Sequence, residues 1–103
     1  MQNLENTVAN RLVRPVHPGE VLADILEDLE INESEFAKVL DVSRQTVNEI
    51  IEGKRGITAD MAIRIGKALG NGPKLWLNLQ QKIDIWEAMT ANKETYEKVT
   101  SIA

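Results

Sequence analysis

Seven polar side chains between positions 43 and 55 stand out by type and spacing: Ser43, Arg44, Gln45, Thr46 and Asn48, followed by Lys54 and Arg55. Side-chain amides pair at two points with adenine, and a guanidinium does the same with guanine. The first five residues therefore predict a surface that reads base edges. Lys54 and Arg55 are adjacent cations bracketed by Gly53 and Gly56. That composition permits close backbone approach and suits contact with phosphate, which positions a protein on DNA without reading sequence. A solvated loop is the alternative for this pair. The chain offers little to covalent chemistry, with one histidine (His17), no cysteine, no phosphate-cradling glycine loop and no metal-ligand cluster. The reading therefore assigns no catalytic residue, no metal and no cofactor.

To act together the first five residues must share a helix. Ser43 is suited to cap one, its hydroxyl accepting a backbone N–H two or three residues on, with Val42 packing on Val47 as a staple. The predicted helix runs about ten residues to Gly53, which can take the left-handed conformation that ends helices. At roughly 100° per residue, Val47, Ile50 and Ile51 fall on one face. Gln45, Asn48, Glu49 and Glu52 fall opposite, with Arg44 and Thr46 on the flanks. Upstream, Ile31, Asn32 and Phe36 repeat the staple and cap, and Glu35 completes a capping box. This predicts a helix over 33–40 that turns Phe36, Ala37 and Leu40 inward. The short turn Asp41–Val42–Ser43 joins the two as a helix-turn-helix, with Ala37 small where the second helix crosses. Aspartate stands at the turn position usually held by glycine, and tolerates the left-handed region better than most residues. An ordinary helical hairpin with polar outer faces is the alternative, and it leaves these coincident constraints unconnected.

The flanking segments supply the scaffold. His17-Pro18-Gly19 opens a helix whose stripe of Val21, Leu22, Ile25, Leu26 and Leu29 faces a core, with Asp24, Glu27 and Asp28 outside. His17 has a structural role at that helix start. Ile57 and Thr58 staple and cap a further helix with Met61, Ala62, Ile65 and Leu69 inward. After the Asn71-Gly72-Pro73 turn, a last helix extends from Pro73 to about Met89. Its stripe of Leu75, Trp76, Leu79, Ile83 and Trp86 is widened by Leu77, Ile85 and Ala88. That apolar surplus predicts a second partner surface, most economically a twofold homodimer through Trp76, Leu79, Ile83 and Trp86. Which tryptophan crosses the interface and which completes the monomer core stays open, and a fully buried terminal helix in a monomer is the alternative. Residues 1–16, with Arg11 and Arg14, read as a mobile arm, residues 17–89 as the folded domain, and residues 90–103 as a polar tail or frayed helix.

A length of 103 residues suits a single all-α domain. The net charge of −4 argues mildly against a nucleic-acid partner, but its distribution does not. Residues 20–35 hold seven acidic side chains and no basic one, whereas residues 38–74 hold seven basic against four acidic. No apolar run approaches the ~20 residues of a membrane span and no signal-peptide core is present, so the expectation is a cytoplasmic protein without a membrane partner.

Taken together, HPGEVLADILEDL, VSRQTVNEII, GKRGIT, ADMAIRIGKALG and WLNLQ resemble the HigA antitoxins, also labelled virulence-associated protein I, of the Xre/lambda-repressor-like helix-turn-helix group. The resemblance covers about residues 17–86. It implies a compact five-helix fold, a homodimer through the C-terminal helix, a palindromic double-stranded DNA operator and autorepression. It also implies neutralisation of a HigB-type toxin, an mRNA-cleaving ribonuclease. Carried over by position, Ser43, Arg44, Gln45, Thr46 and Asn48 are the DNA-reading residues and Lys54 and Arg55 the phosphate contacts. Two alternatives stand beside this: a solitary regulator without a toxin, and an interaction module that never touches DNA. The latter leaves Arg44-Gln45 and Lys54-Arg55 without a role.

Overall fold

Among the described residues, four helix starts are set by a side chain that accepts a backbone N–H. A computed structural model describes residues 13–103, which contain six helices and no strand. Helix α1 spans Pro18–Leu29, and its cap is His17. The imidazole Nδ1 accepts from the Gly19 N–H at 2.9 Å, while Glu20 reaches back to the His17 N–H at 3.0 Å. Helix α2, Glu33–Leu40, opens on the capping box formed by Asn32 and Glu35. Ser43 caps α3, Arg44–Ile51, and Thr58 caps α4, Ala59–Leu69, each through its hydroxyl. Each such cap contributes about 1 kcal/mol by satisfying an otherwise orphaned donor. Helix α5, Pro73–Ala91, has proline in its first turn instead of a side-chain cap. A sixth, short helix α6, Lys93–Glu97, follows where a tail or frayed helix was expected.

The helices end as abruptly as they begin. Asp41 takes the left-handed conformation the sequence assigned it, with φ 60°, and Gly53 does the same at φ 75°. Glu30 is a second non-glycine residue in this region, at φ 57°. It closes α1 at once, and this corrects one expectation. Leu29 stands half exposed at 51%, because the chain turns away before the helix can carry it over the core. Ile31 packs against the core in its place, its N–H bonded to the Leu26 carbonyl.

The core gathers Leu22 and Leu26 of α1, Phe36, Ala37 and Leu40 of α2, Val47 and Ile50 of α3, Ile57, Met61, Ala62 and Ile65 around α4, and Trp76 of α5. Two glycines let the helices come this close. A Cβ at Gly19 would collide with the Ile50 carbonyl, so the start of α1 lies directly against the end of α3. A Cβ at Gly66 would collide with the Gly72 backbone, where the α4–α5 turn folds onto α4. Of the arm expected over residues 1–16, only residues 13–16 are described, and Arg11 lies outside them. Within that piece Arg14 sits 3.6 Å from Glu20. Among the described residues no helix is long and apolar enough to cross a membrane.

The two tryptophans differ. Trp76 is fully buried, and its indole N–H donates to Asn71 Oδ1 at 3.0 Å, whereas Trp86 is half-buried. Trp76→Ala is expected to cost ~3–5 kcal/mol of folding stability, and Trp86→Ala about 1 kcal/mol. Urea midpoints at unchanged slope measure both, and equal losses would mean that the two rings carry the same share of the core.

Candidate nucleic-acid interface

The turn between α2 and α3 is held from three sides. Asp41 reverses the chain, and Val42 anchors it both by donating to the Ala37 carbonyl at 3.0 Å and by packing its side chain on the core. The third hold is a residue the sequence reading did not single out. Arg64 of α4 donates through Nη1 to the carbonyls of Leu40 at 2.8 Å and Asp41 at 3.3 Å, while its Nε bonds Asp60 at 2.9 Å. These carbonyls lie at the C-terminal end of α2, where a guanidinium supplies both hydrogen bonds and a favourable charge. The Asp60–Arg64 pairing four residues apart was legible in the sequence, but the reach to a turn more than twenty residues upstream was not.

Helix α3 and its cap carry the five residues expected to read bases, and the structure places them unequally. Ser43, Arg44 and Gln45 are exposed; Thr46 and Asn48 are half-buried. Ser43 Oγ accepts from the Thr46 N–H at 3.1 Å and shares a hydrogen bond with the Thr46 hydroxyl at 2.9 Å, which fixes both hydroxyls at the helix start. Asn48 does not point straight outward. Its Nδ2 donates to Glu33 at 3.1 Å, tying α3 to the first turn of α2 and leaving its carbonyl oxygen unused. Gln45 Nε2 donates to Glu49 Oε2 at 3.0 Å. Arg44 forms no ion pair among the described residues.

The loop after α3 folds back on the helix. The Lys54 N–H donates to the Glu49 carbonyl at 2.8 Å and the Gly53 N–H to that of Ile50 at 3.1 Å, the Schellman pattern that a left-handed glycine completes. The Arg55 N–H also reaches the Glu49 carbonyl, at 3.2 Å. Lys54 and Arg55 thus lie beside the exposed front of α3. Each, however, meets a carboxylate from that same helix end. Arg55 binds Glu49 Oε1 through Nε at 2.9 Å and Nη2 at 2.7 Å, and Lys54 lies 3.2 Å from Glu52. The Lys54 pair is well exposed and so only weakly held. The Arg55 hydrogen bonds, followed by that of Gln45, hold the Glu49 carboxyl below the usual glutamate range.

Burial on helix α5 corrects two of the four residues expected at the dimer surface. Trp76 and Ile83 are 0% and 1% exposed within the protomer, so neither has surface to offer a second copy. Leu79 is half-buried and packs on the core, and Trp86 is half-buried with its indole N–H enclosed and without a partner among the described residues. The large apolar side chains of this helix that do face outward are Leu75, Leu77, Ile85 and Met89. The same helix contributes Gln80, which the sequence reading passed over. Its Oε1 accepts from the Ile57 N–H at 2.7 Å and pins the start of the α4 segment.

These elements define a helix-turn-helix domain with an exposed, polar second helix. The helix-turn-helix family model matches residues 22–77, and the chain belongs to that family. It is 49% identical over 76 residues to virulence-associated protein A′ of Dichelobacter nodosus, spanning 73% of this chain and 66% of that one. The structure is similar to an addiction module antidote protein of a HigA family from Coxiella burnetii, with TM-score 0.82 and 41% identity over 86% of this chain and 99% of that one. It is equally similar to the Pseudomonas aeruginosa antitoxin HigA solved with the higBA promoter, at TM-score 0.82 and 39% identity over 87% and 100% of the two chains.

The Glu49 cluster has a measurable signature. A glutamate whose pKa is lower in the folded chain than in the unfolded one adds stability above the ordinary glutamate range. That contribution is lost as pH falls through the lowered value. Arg55→Met is expected to raise the Glu49 pKa toward its usual value, read by NMR titration of the side-chain carboxyl carbon. An unmoved titration would mean that Arg55 does not hold the carboxylate in solution.

Proposed function

We propose that this protein is a sequence-specific DNA-binding repressor of the HigA antitoxin type, which binds a palindromic operator in its own promoter and neutralises a HigB-type ribonuclease toxin. The observation that carries the DNA reading is the juxtaposition of exposed Arg44 and Gln45 on α3 with the Lys54–Arg55 loop folded against the end of the same helix. Base readers and phosphate contacts then lie on one surface, as major-groove recognition requires. The promoter bound by the Pseudomonas relative supports the same reading, and the antidote description of the Coxiella relative supports a toxin partner. The role is one of binding, not catalysis. Fluorescence anisotropy with DNA from upstream of the protein's own reading frame tests it. Binding should be specific and weaken steeply with salt, and affinity without sequence preference would overturn the repressor assignment. A small basic ribonuclease encoded beside this chain should co-purify with it and lose activity in the complex.

Within this reading Gln45 and Asn48 differ. Gln45 is exposed with its amide oxygen unbonded, whereas Asn48 is half-buried and spends a donor on Glu33. Gln45→Ala should remove ~1–3 kcal/mol of discrimination at one base pair of a single-substitution operator series. Asn48→Ala should additionally loosen the α2–α3 pair and lower thermal stability. Full retention of discrimination by the Gln45 variant would show that α3 is oriented otherwise on DNA.

A few base pairs per helix are too little to select a site in a genome, so two copies act together, their recognition helices about 34 Å apart. The contact we assign to the second copy is the outer flank of α5: Leu75, Ile85, Trp86 and Met89. Ile85 and Met89 are one turn apart, and Trp86 and Met89 share the neighbouring row. Ile85→Glu should give a folded monomer by sedimentation, with operator affinity lost. A dimer that persists and binds normally would move the contact elsewhere.

A further inference from the structure

We propose that Glu49 is the positioning residue of this interface, locking the base-reading amide of Gln45 and the guanidinium of Arg55 into one array so that recognition of sequence and of phosphate engage together. The inference rests on the DNA-binding reading above. Its basis is the convergence on a single residue. The two carboxylate oxygens of Glu49 divide the work, Oε2 accepting from Gln45 at 3.0 Å and Oε1 from Arg55 at 2.7 and 2.9 Å. Its main-chain carbonyl accepts from the Lys54 and Arg55 N–H groups at 2.8 and 3.2 Å. One residue of the recognition helix thus fixes a base reader, a loop cation and the backbone that carries both cations.

The chemistry of the carboxylate decides what this does. A free glutamine amide turns over easily and presents its donor and acceptor in either order. An ionised carboxylate can only accept, so Gln45 cannot place its own oxygen against Glu49 without setting two acceptors face to face. The amide therefore keeps one polarity. Nε2 faces Glu49, with its second N–H still available, and Oε1 is free. A donor and an acceptor in a fixed order is what the adenine edge, N7 acceptor beside N6 donor, distinguishes from other bases. Arg55 is treated the same way. Of its five N–H donors, the bonds to Glu49 use the Nε–H and one on Nη2, leaving three for a phosphate oxygen.

The charge of Glu49 has a second effect. It cancels that of Arg55, which damps attraction to DNA of arbitrary sequence while leaving the geometry for the right sequence in place. Specificity is a difference of affinities, and a negative charge on the reading surface lowers the wrong one.

The substitution Glu49→Gln keeps the backbone acceptor and nearly the same shape, while it removes the charge and permits the Gln45 amide to turn. Binding of the full-length variant to the upstream DNA, to its single-base series and to a scrambled duplex is measured across salt. Discrimination at the base pair read by Gln45 is expected to fall on the order of tenfold. Affinity for scrambled DNA is expected to rise, and its salt slope to steepen by roughly 0.9, as one more phosphate is neutralised. In a Gln45→Ala background, Glu49→Gln should cost no further discrimination yet still steepen the slope, which a merely structural role would not do. Circular dichroism of each variant accompanies the binding. Equal losses on all sequences, or unchanged discrimination and slope in a folded variant, would overturn the proposal while leaving the repressor reading intact. Absence of discrimination by the unsubstituted protein would remove that reading itself.

Discussion

A helix of eight residues does not hold in water by itself, because fixing its first turn costs several dihedrals for one hydrogen bond. Helix α3 is that length, and the whole domain can be understood as the means of keeping it formed. Val47 and Ile50 are wholly buried, supplying packing that the short helix cannot draw from its own backbone. Ser43 closes one end and the Gly53 turn the other. Helix α1 lies against its far end through Gly19, α2 crosses its near end, and α4 reaches over with Arg64 to hold the turn. Apart from the Asn48–Glu33 bond and the Arg55 bonds to Glu49, these supports leave the outward face free. A rigid backbone under solvent-exposed polar side chains is the result, and recognition needs this because every side chain fixed beforehand lowers the ordering cost at binding.

What the sequence announced and what it concealed follow the range of the interactions. Caps, staples and the left-handed turn at Asp41 act over two to six residues, and their partners stand side by side in the chain. The bounds of α2 and the starts of α1, α3 and α4 were accordingly legible. Helix α5 was harder, since periodicity reveals that a face is apolar but not which neighbour covers it. Trp76 and Trp86 fall on one stripe, yet the first is sealed by the α4–α5 turn and the second is only half covered. Leu29 obeyed the pattern and still lies outside, because Glu30 stops the helix beneath it. The Arg64 and Gln80 contacts span 24 and 23 residues and carry no local mark. Glu49 was visible on the exposed face, but the loop that folds Arg55 onto it was not.

The distribution of charge acquires meaning only with these contacts in place. A surplus of cations over residues 38–74 suggested a generally attractive surface. In the folded chain Arg55, Lys54 and Arg64 each lie against a carboxylate, of Glu49, Glu52 and Asp60, so the field they project is weaker than their number implies. Arg44, at the first turn of α3, has no such neighbour among the described residues. The positive charge is spent on geometry more than on long-range attraction, in keeping with a chain of net charge −4.

The close seating of α1 on α3 also fixes where the polypeptide enters the fold relative to the Gly53–Gly56 loop. His17 caps α1 at the point where Gly19 touches Ile50, and a side chain added at Gly53 would meet the His17 ring at 4.0 Å. Whatever precedes residue 17 therefore connects to the fold next to the Gly53–Gly56 loop and not on the far side of the domain. A label carried on residues 13–16 therefore lies on the loop's side of the domain. One attached after α6 leaves the fold beyond the C-terminal end of α5. For labelling, immobilisation or fusion the two ends are not interchangeable: the first enters the fold beside the Lys54–Arg55 loop, the second leaves it beyond the C-terminal end of α5.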